Sequence, residues 1–376
     1  MSLQQYFPWP SATQMRIGID ARKYRDFGIG TYIRSLAGAF DRQESESFTY
    51  IVSPEDAEML GRRHRGAILT NRSGKYSIGE LLTVSSQANR ARLDLFHSPH
   101  YTLPLRLAMP SVVTIHDMIH LRFPEYFSPV QRAYASVMIA HAAKGAGAII
   151  VDSAFAGKEL LRYVSIPERK INVIPLGVSE LYRPDAAGGG VAAFRARHGI
   201  RGEYLLYVGS LKPHKNVGLL LGALTRIEKR ELELVCVGEM IEREPSLAAL
   251  ATGLAGTHRI HSPGWLPEEE LVEAYRGAAA LVLPSLYEGF GLPVLEAMAC
   301  GTPVICANAA SLPEVAGDAA LCVPPGSEGE LLDAIRAVTG DAALRASLRE
   351  RGLRRAGLFS WQQCAESTLN LYRTLT

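Results

Sequence analysis

The residues best suited to chemistry fall in the run PSLYEGFGLPVLEAMACG, Pro284–Gly301. Gly289 and Gly291 let backbone N–H groups approach a ligand, Pro293 fits the first turn of a helix, and Gly301 fits its end. Glu288 precedes that helix and Glu296 lies within it, so two carboxylates eight residues apart can point into one site. Acidic acceptors beside N–H groups at a helix start suit a ligand with both sugar hydroxyls and phosphates. The plainer alternative is a surface glutamate and a favourable charge near a helix N-terminus.

Three other segments have reactive groups at the ends of apolar runs. In LYVGSLKPHKN (Leu206–Asn216) a strand leads into a turn with Gly209, Ser210, Lys212, His214 and Lys215, and Asn216 stands where a helix N-cap belongs. This is an anion clamp or a solvated basic turn. His116 and Asp117 follow Val112–Ile115; the imidazole suits hydrogen bonding or proton transfer, with Asp117 orienting loop backbone, or it is a structural histidine. His120 adds no metal site, since no third ligand stands at useful spacing. Gly28-Ile29-Gly30 opens a helix and could admit phosphate, but lacks the full G-x-G-x-x-G pattern.

These segments need strands that end beside one another. Met15–Asp20, Phe48–Val52, Asp94–His97, Val112–His116, Ala148–Asp152 and Asn172–Pro175 read as buried strands, alternating with helical stretches such as Thr31–Phe40 and Pro129–Ala143. The alternation breaks at Arg183–Val191 (RPDAAGGGV), which favours a flexible connection and a hinge at 188–190. It resumes with strands Tyr204–Val208, Leu232–Val237, Ala280–Pro284, Pro303–Cys306 and Ala320–Val323. The expected fold is α/β: two doubly wound, Rossmann-like parallel-sheet domains over 15–184 and 185–358, with residues 1–14 a disordered extension. Ligands of such sheets bind beyond the carboxyl ends of the strands.

Composition agrees. The 376 residues are 47% hydrophobic and 21% charged, which fits about two globular domains and excludes long disorder. The net charge of +2 gives no case for nucleic acid. It conceals an asymmetry: residues 1–184 hold 22 Lys+Arg against 16 Asp+Glu (+6), and residues 185–376 hold 18 against 22 (−4). Five cysteines without a C-x-x-C pair suggest neither disulfides nor zinc and fit a cytoplasmic setting. No apolar run is long enough to span a membrane, and the first fourteen residues lack signal-peptide character.

Glu288 and Glu296 form an E-x7-E motif in the setting E-G-F-G-L-P-x-L-E-A-M-A-x-G. With the His116-Asp117 strand end, the NVIPLGV run (Asn172–Val178) and the LYVGSLKPHKN turn, the sequence resembles the retaining glycosyltransferases of family 4 over residues 15–376. Its turn, and His116-Asp117 followed by RFPE (Arg122–Glu125), look most like bacterial mannosyltransferases of O-antigen or exopolysaccharide synthesis. The resemblance implies the GT-B fold, two domains facing a central cleft, with a nucleotide-sugar donor and no cofactor or metal. No D-x-D occurs to bridge a metal to the diphosphate. It implies that residues 359–376 form a helix returning to the first domain.

By the same resemblance, catalytic roles fall to His116, Lys215 and Glu288: Lys215 is the principal cation on the leaving diphosphate, His116 sits by the transferred sugar, and Glu288 holds sugar hydroxyls. Gly28 and Gly30 lie against the donor phosphates, as do Gly209, Ser210 and His214. Gly289 and the N–H groups of Phe290, Gly291 and Leu292 serve sugar and phosphate, and Glu296 binds the ribose. Many family members carry Arg where Ser210 stands, so a second cation must come from Lys212, His214 or elsewhere. The donor is GDP-mannose or a UDP-sugar; the acceptor is a glycan or a polyprenyl-diphosphate-linked saccharide docking on the first domain. Arg62, Arg63, His64, Arg65, Arg72, Lys75, Arg90 and Arg92 occupy its least regular part and either meet an anionic membrane at the inner face or form a solvated face. A nucleotide-sugar epimerase or hydrolase on the same scaffold, or a binding protein without turnover, stays open.

Overall fold

A computed structural model describes residues 14–376 except 27, 44, 75, 76, 186–188, 230 and 255. The extension expected over 1–14 lies outside the described residues but for Gln14. The chain divides into two compact units: residues up to Gly177 together with Trp361–Thr376, and Val178–Ser360.

The first unit holds seven strands: β1 Met15–Asp20, β2 Glu46–Val52, β3 Ala67–Thr70, β4 Leu95–Ser98, β5 Ser111–Thr114, β6 Ala148–Val151 and β7 Ile171–Val173. All pair in parallel in the order β3-β2-β1-β4-β5-β6-β7. β4, β5 and β6 are buried at every residue, as the central strands of a sheet covered on both faces must be. The helix Trp361–Arg373 completes this unit: its Tyr372 hydroxyl bonds buried His97 Nδ1 at 2.6 Å, and Trp361 packs 6.1 Å from the Tyr32 ring.

The second unit repeats the winding with six strands: β8 Tyr204–Gly209, β9 Glu233–Gly238, β10 Ile260–Gly264, β11 Ala280–Leu283, β12 Val304–Ala307 and β13 Leu321–Val323. Their order is β10-β9-β8-β11-β12-β13, again all parallel. Strand order therefore reverses between β1 and β4 in one sheet and between β8 and β11 in the other, the switch points beyond which ligands bind.

Three expectations change. The units divide at Gly177/Val178, ahead of the expected 184–190, and at Ser360/Trp361. Gly189 and Gly190 do not belong to a flexible link: they open the helix Gly189–His198, Gly188 being outside the described residues. Packing overrides glycine's poor helix propensity there, because a Cβ on Gly190 would stand 2.4 Å from the Glu273 carboxyl and buried Phe194 anchors the helix against Tyr204. The segment around Arg62–Arg92 is also more regular than expected, with helices Ala57–Arg63 and Ile78–Arg90 flanking β3. His64 leaves the basic set, its Nδ1 bonding Asp41 at 2.7 Å, and Lys75 lies outside the described residues. Among the described residues no helix is long and apolar enough to cross a membrane.

Candidate active site

In the second unit β11 ends at Leu283 and the loop that follows delivers Glu288 to the helix Leu292–Cys300. Gly291 caps that helix with φ 108°, a left-handed conformation open to glycine, and a Cβ there would stand 2.8 Å from Leu312 Cδ2. Pro293 sits in the first turn and Gly301 closes the last at φ 77°. The loop is clamped from behind: buried Ser311 donates its hydroxyl to the carbonyls of Glu288 and Phe290, at 2.9 and 2.8 Å. With both carbonyls turned to Ser311, the N–H groups of Phe290, Gly291 and Leu292 find no acceptor among the described residues, as befits an anion-ready helix start.

β8 leads into the neighbouring turn. Glu239 accepts the Leu211 N–H at 2.7 Å and the Tyr207 hydroxyl bonds the Ser210 carbonyl, which fix Gly209–Leu211. The single turn Pro213–Lys215 then brings Lys215 Nζ to both oxygens of Glu288, at 2.7 and 2.8 Å. The Leu286 N–H donates to the His214 carbonyl at 2.7 Å, tying the two loops together. Of the three expected cations, Lys212 is exposed and His214 is 3% exposed, so Lys215 is the one aimed at Glu288. Asn216 occupies the N-cap of the helix Val217–Thr225 with left-handed backbone, but its side chain makes no capping bond.

Glu296 lies on the helix Leu292–Cys300 and accepts the Tyr275 hydroxyl at 2.6 Å. Burial raises its pKa to about 7, overcoming the opposing hydrogen bonds from Tyr275 and Tyr182, with Glu268 adding like charge. The carboxyl therefore changes charge near neutrality.

In the first unit His116 stands just beyond β5. Its Nδ1 meets Asp152 Oδ2 at 2.6 Å and its Nε2 meets the Pro99 carbonyl at 3.2 Å. Both ring nitrogens face acceptors, which only the imidazolium satisfies. Burial opposes that charge, yet Asp152, by charge and hydrogen bond, with Asp117 and the Pro99 carbonyl, holds the His116 pKa above its ordinary value. Asp117 accepts the Ile119 N–H at 3.0 Å and so orients loop backbone. Gly28 stands at the start of the helix Ile29–Phe40 with φ 53°. Gly30 is demanded by packing: a Cβ would stand 2.6 Å from the Tyr24 carbonyl, and its N–H is used by the Asp26 carbonyl.

The structure thus gathers Lys215 and Glu288 at the β8/β11 switch point and sets His116 at the carboxyl edge of the other sheet. Sequence reasoning missed Asp152, Ser311, Glu239, Tyr275 and Tyr182. Asp152 could have been found, since it directly follows the apolar run AIIV. Ser311 reads as the cap of its own helix, Leu312–Ala316, but makes no such bond and serves the loop instead.

Comparison with known proteins places this geometry. The model of "Glycosyltransferase Family 4" matches residues 28–180, and that of "Glycosyl transferases group 1" matches residues 192–355. The O-antigen chain mannosyltransferase B of Escherichia coli is 34% identical over 284 residues, covering 75% of this chain and 74% of its own length. The chain belongs to glycosyltransferase family 4. This family 4 glycosyltransferase is also 33% identical over 231 residues to an MMP alpha-(1->4)-mannosyltransferase of Mycolicibacterium hassiacum, covering 60% of this chain and 53% of that protein. Anabaena HepE, solved with UDP and glucose, has the same fold, with a TM-score of 0.79 at 18% identity over 96% of this chain and 100% of that one. The two Rossmann-like units of the enzyme are those of the GT-B fold.

Proposed function

We propose that this glycosyltransferase moves a mannosyl group from GDP-mannose, with retention and without metal, onto a glycan or lipid-linked saccharide in cell-surface polysaccharide synthesis, at the cytoplasmic face of the membrane. The observation that carries the donor chemistry is Lys215 held on Glu288, at the head of the loop whose Phe290, Gly291 and Leu292 N–H groups find no acceptor among the described residues. Cleaving the anomeric C–O bond leaves negative charge on the diphosphate, and preorganised donors of this kind stabilise such charge by about 3–4 kcal/mol each. The Lys215–Glu288 pair has a consequence for binding: the diphosphate must share Lys215, which frees Glu288 oxygens for sugar hydroxyls. Glu296 takes the ribose hydroxyls, and His116 reaches the sugar by exchanging its 3.2 Å contact with the Pro99 carbonyl for a sugar hydroxyl. With no carboxylate assigned behind the anomeric carbon, the acceptor attacks the face the diphosphate leaves and passes its proton to phosphate.

Mannose rests on the names of the Escherichia coli and Mycolicibacterium hassiacum relatives. The test is nucleotide release from GDP-mannose, GDP-fucose, UDP-glucose and UDP-galactose with a mannosylated acceptor, run with and without EDTA. Turnover confined to GDP-mannose, unchanged by EDTA, with an α-configured product by NMR, is expected. Preference for a UDP-sugar, loss with EDTA, or sugar release without acceptor overturns the corresponding part.

A further inference from the structure

We propose that the second unit carries another anion site, at the opposite end of its sheet from Lys215 and Glu288, and that it takes a multivalent phosphate. An open cavity of about 440 Å³ lies there, lined by Arg195, Arg276, Arg345, Arg349, Glu203 and the backbone around Gly301. Of its lining residues, Glu203, Ala279 and Pro303 directly precede β8, β11 and β12, whereas Lys215 and Glu288 follow β8 and β11. The cavity is within the range of small-molecule sites, which begin at about 300 Å³.

Three of the four guanidiniums of this cavity have no carboxylate partner among the described residues. Arg195 is held by the carbonyls of Arg201 and Gly202 at 3.1 and 2.6 Å, Arg345 by that of Val338 at 2.7 Å, and Arg349 by that of Gly301 at 3.5 Å. Among the described residues none of these three pairs with a carboxylate. Arg276 alone does, with Glu273 at 2.5 Å, while the lining carboxylate, Glu203, pairs with Lys229 at 2.5 Å. Carbonyl anchors use one or two of the five N–H donors of each guanidinium and fix the fork without neutralising it. Arg345 and Arg349 stand one turn apart on the helix Ala342–Ala356 and so present their forks together. Gly301 makes room, since a Cβ there would stand 3.0 Å from the Arg349 guanidinium carbon. Planar forks gathered in a concave site match phosphate oxygens bidentately. Three unpaired guanidiniums in the acidic half of the chain call for a ligand of several negative charges, either a free phosphorylated metabolite or the phosphomonoester headgroup of a lipid.

The test uses the full chain carrying Lys215→Ala, which disables the donor-phosphate site, and titrates inorganic triphosphate calorimetrically. Binding is expected to persist, to weaken with salt, and to fall by about tenfold or more when Arg345→Gln and Arg349→Gln are added. Arg345→Lys with Arg349→Lys, which keeps the charge and loses the forks, should give an affinity between those of the parent and the double glutamine variant. If the double glutamine variant does not fold, the single Arg345→Gln variant gives the reading. Cosedimentation with phosphatidylcholine vesicles doped with phosphatidic acid separates the sources: vesicle binding displaced by triphosphate indicates the lipid, and triphosphate binding without vesicle binding indicates the free ligand. No triphosphate binding in the Lys215→Ala protein, or binding indifferent to the Arg345 and Arg349 substitutions, overturns the proposal.

Discussion

The two units share one winding and use it in different ways. At the carboxyl edge of the seven-stranded sheet the chemistry sits in side chains: His116 is locked between Asp152 and the Pro99 carbonyl, with its charge fixed by buried neighbours. At the corresponding edge of the six-stranded sheet much of it sits in backbone, where Ser311 turns two carbonyls away and leaves the N–H groups of Phe290–Leu292 to a ligand. Lys215, the cation aimed at that loop, is neutralised by Glu288 until something displaces it. Equal topology therefore does not imply equal electrostatics. Each edge pairs its cation with a carboxylate, His116 with Asp152 and Lys215 with Glu288, and the second differs in the oriented backbone donors beside its pair.

The most severe way to break this contrast is to remove the second edge's cation. Lys215→Ala should lower kcat by roughly two to three powers of ten in a nucleotide-release assay. Near-normal turnover would mean that backbone donors alone carry the phosphate charge. Next comes the first edge: Asp152→Asn removes the group that keeps His116 charged, so the His116 pKa should fall and kcat drop by about ten- to a hundredfold. Its high-pH loss of activity should move to lower pH, since imidazolium persists only below the His116 pKa. An unchanged pH profile would reduce the pair to a structural contact.

A smaller effect is expected from Ser311→Ala. It strips hydrogen bonds from two loop carbonyls and should cost about 1–3 kcal/mol of stability, with several-fold weaker donor binding by calorimetry. Loss of stability with donor affinity intact would show that the loop keeps its shape unaided. Smallest is the titration of Glu296. With a folded pKa of about 7 against an ordinary 4.5, the folded protein holds a proton that the unfolded chain has released between those values. Stability should therefore fall as pH rises across that window, while donor affinity should fall as pH drops below about 7 and the ribose acceptor becomes protonated. Glu296→Gln should flatten both slopes.

The parallel architecture was legible because central strands of a covered sheet are continuous apolar runs. AIIV and ALVL announce β6 and β11 at once. The edge strands β3 and β10 escaped for the converse physical reason. No residue of either is fully buried, and β10 (IHSPG) carries a proline and a register shift, which suit an edge better than the middle of a sheet. At the site, residues marked by glycine and by strand ends were visible. Partners joined by the fold were not: Asp152 stands 36 positions from His116, and Glu288 and Lys215 stand 73 apart. Gly30 is a motif glycine for which the fold supplies a second reason, the Tyr24 carbonyl packed against it.

The helix Trp361–Arg373 has a consequence for how the chain is made. The second unit is one unbroken stretch, Val178–Ser360, whose entry and exit lie side by side through the Val178–Ser360 bridge. The first unit is split around it, and buried His97 waits for Tyr372, 275 residues further along the chain. On the ribosome the second unit can close while the first still lacks its last helix, so the half of the enzyme synthesised first is the half that finishes last. Until Trp361–Arg373 docks, the surface around Tyr32, Phe40 and His97 is uncovered, and that interval is where a chaperone or an aggregation partner would find this protein most exposed.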